Sequence, residues 1–126
     1  MTIRNVYYDT YDENTWRDME IFFNQAQNLS ELIIDDYHRR EVSNEIIEFM
    51  SNILPHRLKH LQMALNDSRQ IQIILERCEN LATIKLFNKS EDFREKAINW
   101  FADNTVNTTC HKGDREISVW IGKKTF

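Results

Sequence analysis

The sequence predicts an α/β fold of stacked strand–helix units, a short solenoid whose strands form one parallel sheet. Two observations carry this expectation. The phrase Leu-x-x-Leu-x-Leu appears at Leu29/Leu32/Ile34, Leu58/Leu61/Met63 and Leu81/Ile84/Leu86, with a weaker copy at Ile3/Val6/Tyr8. Its starts at 3, 29, 58 and 81 are separated by 26, 29 and 23 residues, a spacing that suits repeated supersecondary units. Between the copies lie apolar stripes of helical period, each with one face to bury.

Each phrase reads as a strand with its first, fourth and sixth positions inward and the intervening positions outward. The first helical stripe is Trp16, Met19, Phe22, Phe23 and Ala26, and the second is Ile46, Ile47, Met50, Ile53 and Leu54. Ile71, Ile74, Leu75 and Cys78 make the third, and Phe93, Ala97, Trp100 and Phe101 the fourth. Ser43, Ser68 and Ser90 stand where a hydroxyl can accept from an orphan helical N–H. Glu45, Glu91 and Asp92 place negative charge near those N-termini, and Pro55 closes the second helix. A last strand is expected at Ile117/Val119/Ile121. Strands joined by helical crossovers run parallel with right-handed connections. The expected organisation is one domain of four units, 3–28, 29–57, 58–80 and 81–104, followed by a capping strand within 105–126. One unit alone cannot enclose a core, whereas stacked units bury a continuous one.

Composition narrows the function classes. The 126 residues are 41% hydrophobic and 29% charged, which describes a globular chain able to bury a modest core. A formal charge of −4 gives no electrostatic reason to expect nucleic acid. Two glycines and one proline leave no material for phosphate-cradling loops or a flexible linker. No apolar run approaches the roughly 20 residues that span a bilayer, and no signal-peptide pattern follows Met1. No membrane partner is therefore expected, and the expected location is cytoplasmic or nuclear. Cys78 and Cys110 are too few for a disulfide framework. Sequons at Asn28, Asn66, Asn88 and Asn107 would matter only on the secretory path.

The stretch Arg77-Cys78-Glu79-Asn80-Leu81-Ala82-Thr83-Ile84-Lys85-Leu86 is the most specific part of the pattern. It is similar to the Cys-x-x-Leu-x-x-Leu-x-Leu phrase of the cysteine-containing leucine-rich repeats. The whole alternation resembles the helix-containing repeats of ribonuclease-inhibitor-like proteins and of the recognition arms of F-box proteins. Ala26 and Pro55 hold the place of Cys78 in the other clear copies, and all three are small, as a tight helix-to-strand turn demands. Eight residues past the first leucine the family carries Asn or Cys. Only Asn66 matches, while Tyr11, Tyr37 and Lys89 depart. The final helix and the Ile117–Gly122 ending resemble the carboxyl end of such an array. The resemblance implies a leucine-rich-repeat solenoid, a short horseshoe with a parallel sheet on its concave face and helices on its convex face. It also implies a noncatalytic module that binds a protein, such as the substrate-recognition arm of an F-box-type ubiquitin-ligase adaptor. No F-box is recognisable here, so an F-box domain or further repeats would lie upstream.

Other constellations read as solvated surface. His56 and His60 are four apart but straddle the start of a strand, where the helical spacing of two metal ligands is lost. Cys110 beside His111 falls in a Thr/Asn-rich loop without an orienting third group. The carboxylates from Asp9 to Asp36 and the pair Arg39-Arg40 read as wet faces. The outward strand positions are the one set with a functional shape. Their columns are Asn5, Glu31, His60 and Thr83; Tyr7, Ile33, Gln62 and Lys85; and Asp9, Asp35, Ala64 and Phe87. Trp120 faces outward on the last strand. The expected partner-binding residues are therefore Tyr7, Asp9, Glu31, Ile33, Asp35, His60, Gln62, Lys85, Phe87 and Trp120, since exposed aromatic and apolar groups beside charges mark protein-recognition surfaces. No catalytic residue, cofactor or metal is expected. Two other readings stay open: a cap or self-association segment of a larger solenoid, and a small α/β enzyme using Cys110 and His111.

Overall fold

A computed structural model describes residues 2–6, 13–26, 28–34 and 44–126. Strands and helices alternate through the first four units. They run β1 (Thr2–Val6), α1 (Glu13–Gln25), β2 (Glu31–Ile34), α2 (Asn44–Ile53), β3 (His60–Ala64), α3 (Ser68–Arg77), β4 (Thr83–Phe87) and α4 (Glu91–Asn104). Four further strands follow, β5 (Thr105–Val106), β6 (Thr109–Lys112), β7 (Glu116–Trp120) and β8 (Lys123–Lys124).

The sheet has six strands in the order β1-β2-β3-β4-β7-β6. The first three pairings are parallel, whereas β7 runs antiparallel to both β4 and β6. This mixed sheet overturns the expected leucine-rich-repeat horseshoe, which requires one parallel sheet throughout. The physical reason lies after α4. No further helical crossover follows it there, and the short Gly113-Asp114-Arg115 connection lets β6 and β7 form a hairpin, which only antiparallel strands can do. β5 and β8 make a separate two-stranded antiparallel sheet.

The inward positions of the three clear phrases are all buried, together with Ile117 and Val119 of β7. They share one core with Met19 and Phe23 of α1, Ile53 of α2, Ile71, Ile74 and Leu75 of α3, and Phe93, Ala97 and Phe101 of α4. The helices pack in chain order, α1 on α2, α2 on α3 and α3 on α4. The side chains of Trp16, Ile46, Ile47 and Met50, and the proposed cap Ser43, lie outside the described residues.

Residues Ala26, Pro55 and Cys78 make the same turn. In each, the carbonyl three residues before the first leucine accepts that leucine's N–H, at 3.1 Å for Leu29, 3.3 Å for Leu58 and 3.2 Å for Leu81. The strands then start in step. The Ser30 carbonyl accepts from the N–H groups of Lys59 and His60, the Lys59 carbonyl from those of Ala82 and Thr83, and the Ala82 carbonyl from that of Ile121. The first strand breaks this regularity. Thr2 pairs with Glu31, Ile3 with Leu32 and Val6 with Ile34, so one extra β1 residue bulges between Ile3 and Val6. The expected alignment of Ile3 with Leu29, and of Asn5 with Glu31, is corrected accordingly.

Helix ends follow ordinary capping chemistry, with one shift from expectation. Ser90 caps α4 by accepting from the Phe93 N–H. For α3 the cap is Asp67 rather than Ser68; its carboxylate accepts from the Arg69 N–H at 2.9 Å and pairs with the Arg69 guanidinium. These bonds, led by the one from the Arg69 side chain, hold the Asp67 carboxyl below its ordinary pKa. At the other end of α3, the Lys124 ammonium donates to the Leu75 carbonyl at 2.6 Å and approaches those of Cys78 and Glu79. It satisfies carbonyls that have no partner within the helix and lies at the negative end of its dipole. Gly122 is required beside this contact, because a Cβ there would stand 2.0 Å from the Val106 carbonyl oxygen.

Two outcomes test this packing. Leu32→Ala and Ile84→Ala should each lower stability by roughly 2–5 kcal/mol in denaturant titrations, as buried large-to-small changes do. Asp67→Ala should cost about 1 kcal/mol at neutral pH. Because the folded-state pKa is depressed, the charge-dependent part of that contribution is complete above the unfolded value of about 3.9 and is lost as pH falls through the folded value. Asp67→Asn should retain a neutral cap and flatten the wild-type loss of stability over that acidic window, as followed by unfolding at a series of pH values.

Candidate functional site

Alternation along the strands sends every second side chain away from the helices. The pairing registers then set these outward residues into rows across the sheet. One row runs Glu31, His60, Thr83, Trp120 and Thr109; the next runs Ile33, Gln62, Lys85, Ser118 and His111; a shorter third holds Ala64, Phe87 and Glu116. No helix covers this face among the described residues. Trp120 is 53% exposed and Phe87 36% exposed. The two aromatics stand at opposite ends of the neighbouring strands β7 and β4, with Lys85 and Ser118 between their rows.

A shallow groove of ≈ 360 Å³ crosses the strands, lined by Glu31, His60, Gln62, Thr83, Lys85, Ser118 and Trp120. On its floor His60 Nδ1 and Thr83 Oγ1 are 2.6 Å apart, a hydrogen bond that orients the imidazole on an otherwise exposed strand. The Lys85 ammonium sits 5.8 Å from the centroid of the Phe87 ring, within the reach of a cation–π contact. The groove thus offers polar groups at its centre and the Trp120 indole at its edge.

Of the ten expected partner-binding residues, Glu31, Ile33, His60, Gln62, Lys85, Phe87 and Trp120 lie on this one face. Tyr7, Asp9 and Asp35 lie outside the described residues. The sequence reading missed Ser118, His111 and Glu116, which the hairpin brings onto the same face. The available signal was the turn-forming Gly113-Asp114 pair between two alternating segments.

The cysteines are placed differently from each other. Cys110 pairs with Val119 and His111 with Ser118 on β6, so both are strand residues and not part of a loop. Adjacent strand residues point to opposite faces. The Cys110 thiol therefore turns toward the core side while the His111 imidazole turns outward, which keeps the imidazole from serving as the thiol's base. Cys78 is fully buried behind the turn of the third helix, and burial pushes its pKa up to about 11. Burial also raises the Cys110 pKa. No group of three or more His, Cys, Asp or Glu side chains suited to a metal ion occurs among the described residues. No helix among them is long and apolar enough to cross a membrane.

Comparison with known proteins adds no relative: no protein-family model, no curated protein and no solved structure matches the chain.

Thiol labelling checks the placement of the two cysteines. At about pH 8, where an unperturbed thiol is partly ionised, Cys110 should react with an aromatic disulfide reagent more slowly than a free thiol. Cys78 should react only at the rate at which the chain opens. Equal fast reaction of both would contradict the burial described.

Proposed function

We propose that this chain is a noncatalytic protein-binding module whose partner docks on the open face of the sheet. The observation that carries the reading is the exposure of Trp120 and Phe87 beside a polar groove on a face that no helix covers among the described residues. Trp is enriched among residues that dominate binding energy, and such anchors work when a partner completes their desolvation. The backbone that carries the indole belongs to a strand paired on both sides, which limits the ordering cost on binding. Row neighbours Thr83, Gln62 and Ser118 supply hydrogen-bonding groups that fix orientation without dominating affinity.

The reading is tested by quantitative affinity capture from a cell extract with the wild-type chain and with Trp120→Ala and Phe87→Ala variants. The expected outcome is at least one captured protein whose recovery drops by roughly tenfold or more with Trp120→Ala, as for an interface anchor. Thermal stability of both variants should stay close to wild type, because exposed side chains contribute little to folding. A large fall in their unfolding temperature would show that the two rings support the core instead. Ubiquitin-ligase subunits among Trp120-dependent species would support the adaptor role that the resemblance to F-box recognition arms implies.

A further inference from the structure

The electrostatics of the open face single out Lys85. Arg69, Lys96 and Lys112 each pair with a carboxylate, on Asp67, Asp92 and Glu91 with Glu95 respectively. Lys124 is met by backbone carbonyls, and the buried Arg94 guanidinium by the Asn88 carbonyl behind the sheet. Lys59, Lys89 and Lys123 are exposed to water. Lys85 is half-buried in the groove and has no carboxylate within ion-pair distance among the described residues. Among the described residues its contact of electrostatic character is with the face of Phe87. An anion reaching the Lys85 row would therefore meet a positive charge that no acid among the described residues already pairs with.

The groups around Lys85 fit one kind of anion. Gln62 lies opposite it on β3 and Ser118 opposite it on β7, each able to donate a hydrogen bond. The acids described on this face lie off the Lys85 row: Glu31 beside His60 on β2, and Glu116 opposite Phe87 and diagonal to Lys85. With Glu31 and Glu116 among the described residues of the face and a chain charge of −4, a polyanion such as nucleic acid would meet repulsion. A single carboxylate would not, because one ammonium and two neutral donors match it. Trp120 and Phe87 then offer apolar surface to either side of that position.

Resting on the reading of this face as a protein-binding surface, we propose that the partner presents an Asp or Glu side chain to Lys85, Gln62 and Ser118, flanked by apolar residues that pack on Trp120 and Phe87. The pocket selects for an acidic residue set among apolar ones.

The test uses the full chain and a random peptide library displayed on phage as the probe. Peptides are selected on the wild-type chain and kept only if binding is lost on the Trp120→Ala variant. These should be enriched in Asp or Glu beside aromatic or aliphatic residues. Their affinity should fall at least about tenfold on Lys85→Met, which keeps the apolar stem and removes the charge. Raising salt from about 0.05 to about 0.5 M should weaken binding to the wild-type chain and leave the weaker Lys85→Met binding nearly unchanged. If the Met variant does not fold, as judged by its circular dichroism, Lys85→Gln takes its place. Trp120-dependent peptides that lack acids, or that bind the Lys85 variant equally well, would overturn the acidic-residue inference and leave the binding face standing. Failure to recover any Trp120-dependent peptide would overturn both.

Discussion

Burial of one side of the sheet, and of that side alone, is the constraint from which the other features follow. Leu61, Ile84 and Val119 lie side by side across β3, β4 and β7 and are essentially inaccessible to water. The helices that cover them follow the strands in chain order, so each right-handed crossover returns on the same side. Among the described residues, an unroofed outer face is the geometric result. The same alternation that places Ile84 and Leu86 in the core places Thr83, Lys85 and Phe87 outside it. A one-residue slip of β4 would exchange those sets, burying an ammonium and exposing two aliphatic side chains, and the cost of that exchange pins the register.

The carboxyl-terminal segment secures this arrangement twice. β7 adds to the free edge of β4 across five residue pairs, from Thr83 with Trp120 to Phe87 with Glu116. The next few residues turn back over the helical layer. There Gly122 passes close to the Val106 backbone, Lys124 meets the end of α3, and Phe126 contacts Trp100 with ring centroids 5.7 Å apart. One short stretch thus completes the outer face through Trp120 and tethers the inner layer through Lys124.

Much of this was legible in the residues. Inward sets such as Leu58, Leu61 and Met63 were readable because one-sided burial writes a period of two into a strand. The stripes Ile71, Ile74, Leu75, Cys78 and Phe93, Ala97, Phe101 were readable for the corresponding reason, whereas Phe22 of the first stripe is 43% exposed. The small residues Ala26, Pro55 and Cys78 correctly marked three equivalent turns. Strand direction was not legible. The alternation Ile117, Val119 is the same whether a strand runs parallel or antiparallel, and the leucine pattern drew the ending into a solenoid that does not form. The cap of α3 was misplaced by one position because Asp67 and Ser68 are both good capping residues. The outward position of Trp120 followed from its neighbours. His111 and Ser118 did not, because their place on the face depends on a hairpin whose only local sign is the Gly113-Asp114 turn.

The position of β7 between β4 and β6 also orders events on the ribosome. The parallel strands β1 to β4 emerge first, with their helices, and can assemble while the hydrogen-bonding edge of β4 is still bare. That edge is occupied only when Glu116–Trp120 has been made and has paired with it. An open edge beside buried Ile84 and Leu86 is a site for pairing with other nascent chains. A chain in which Glu116–Trp120 is lost or unpaired would keep that edge bare, and is the form most open to such pairing.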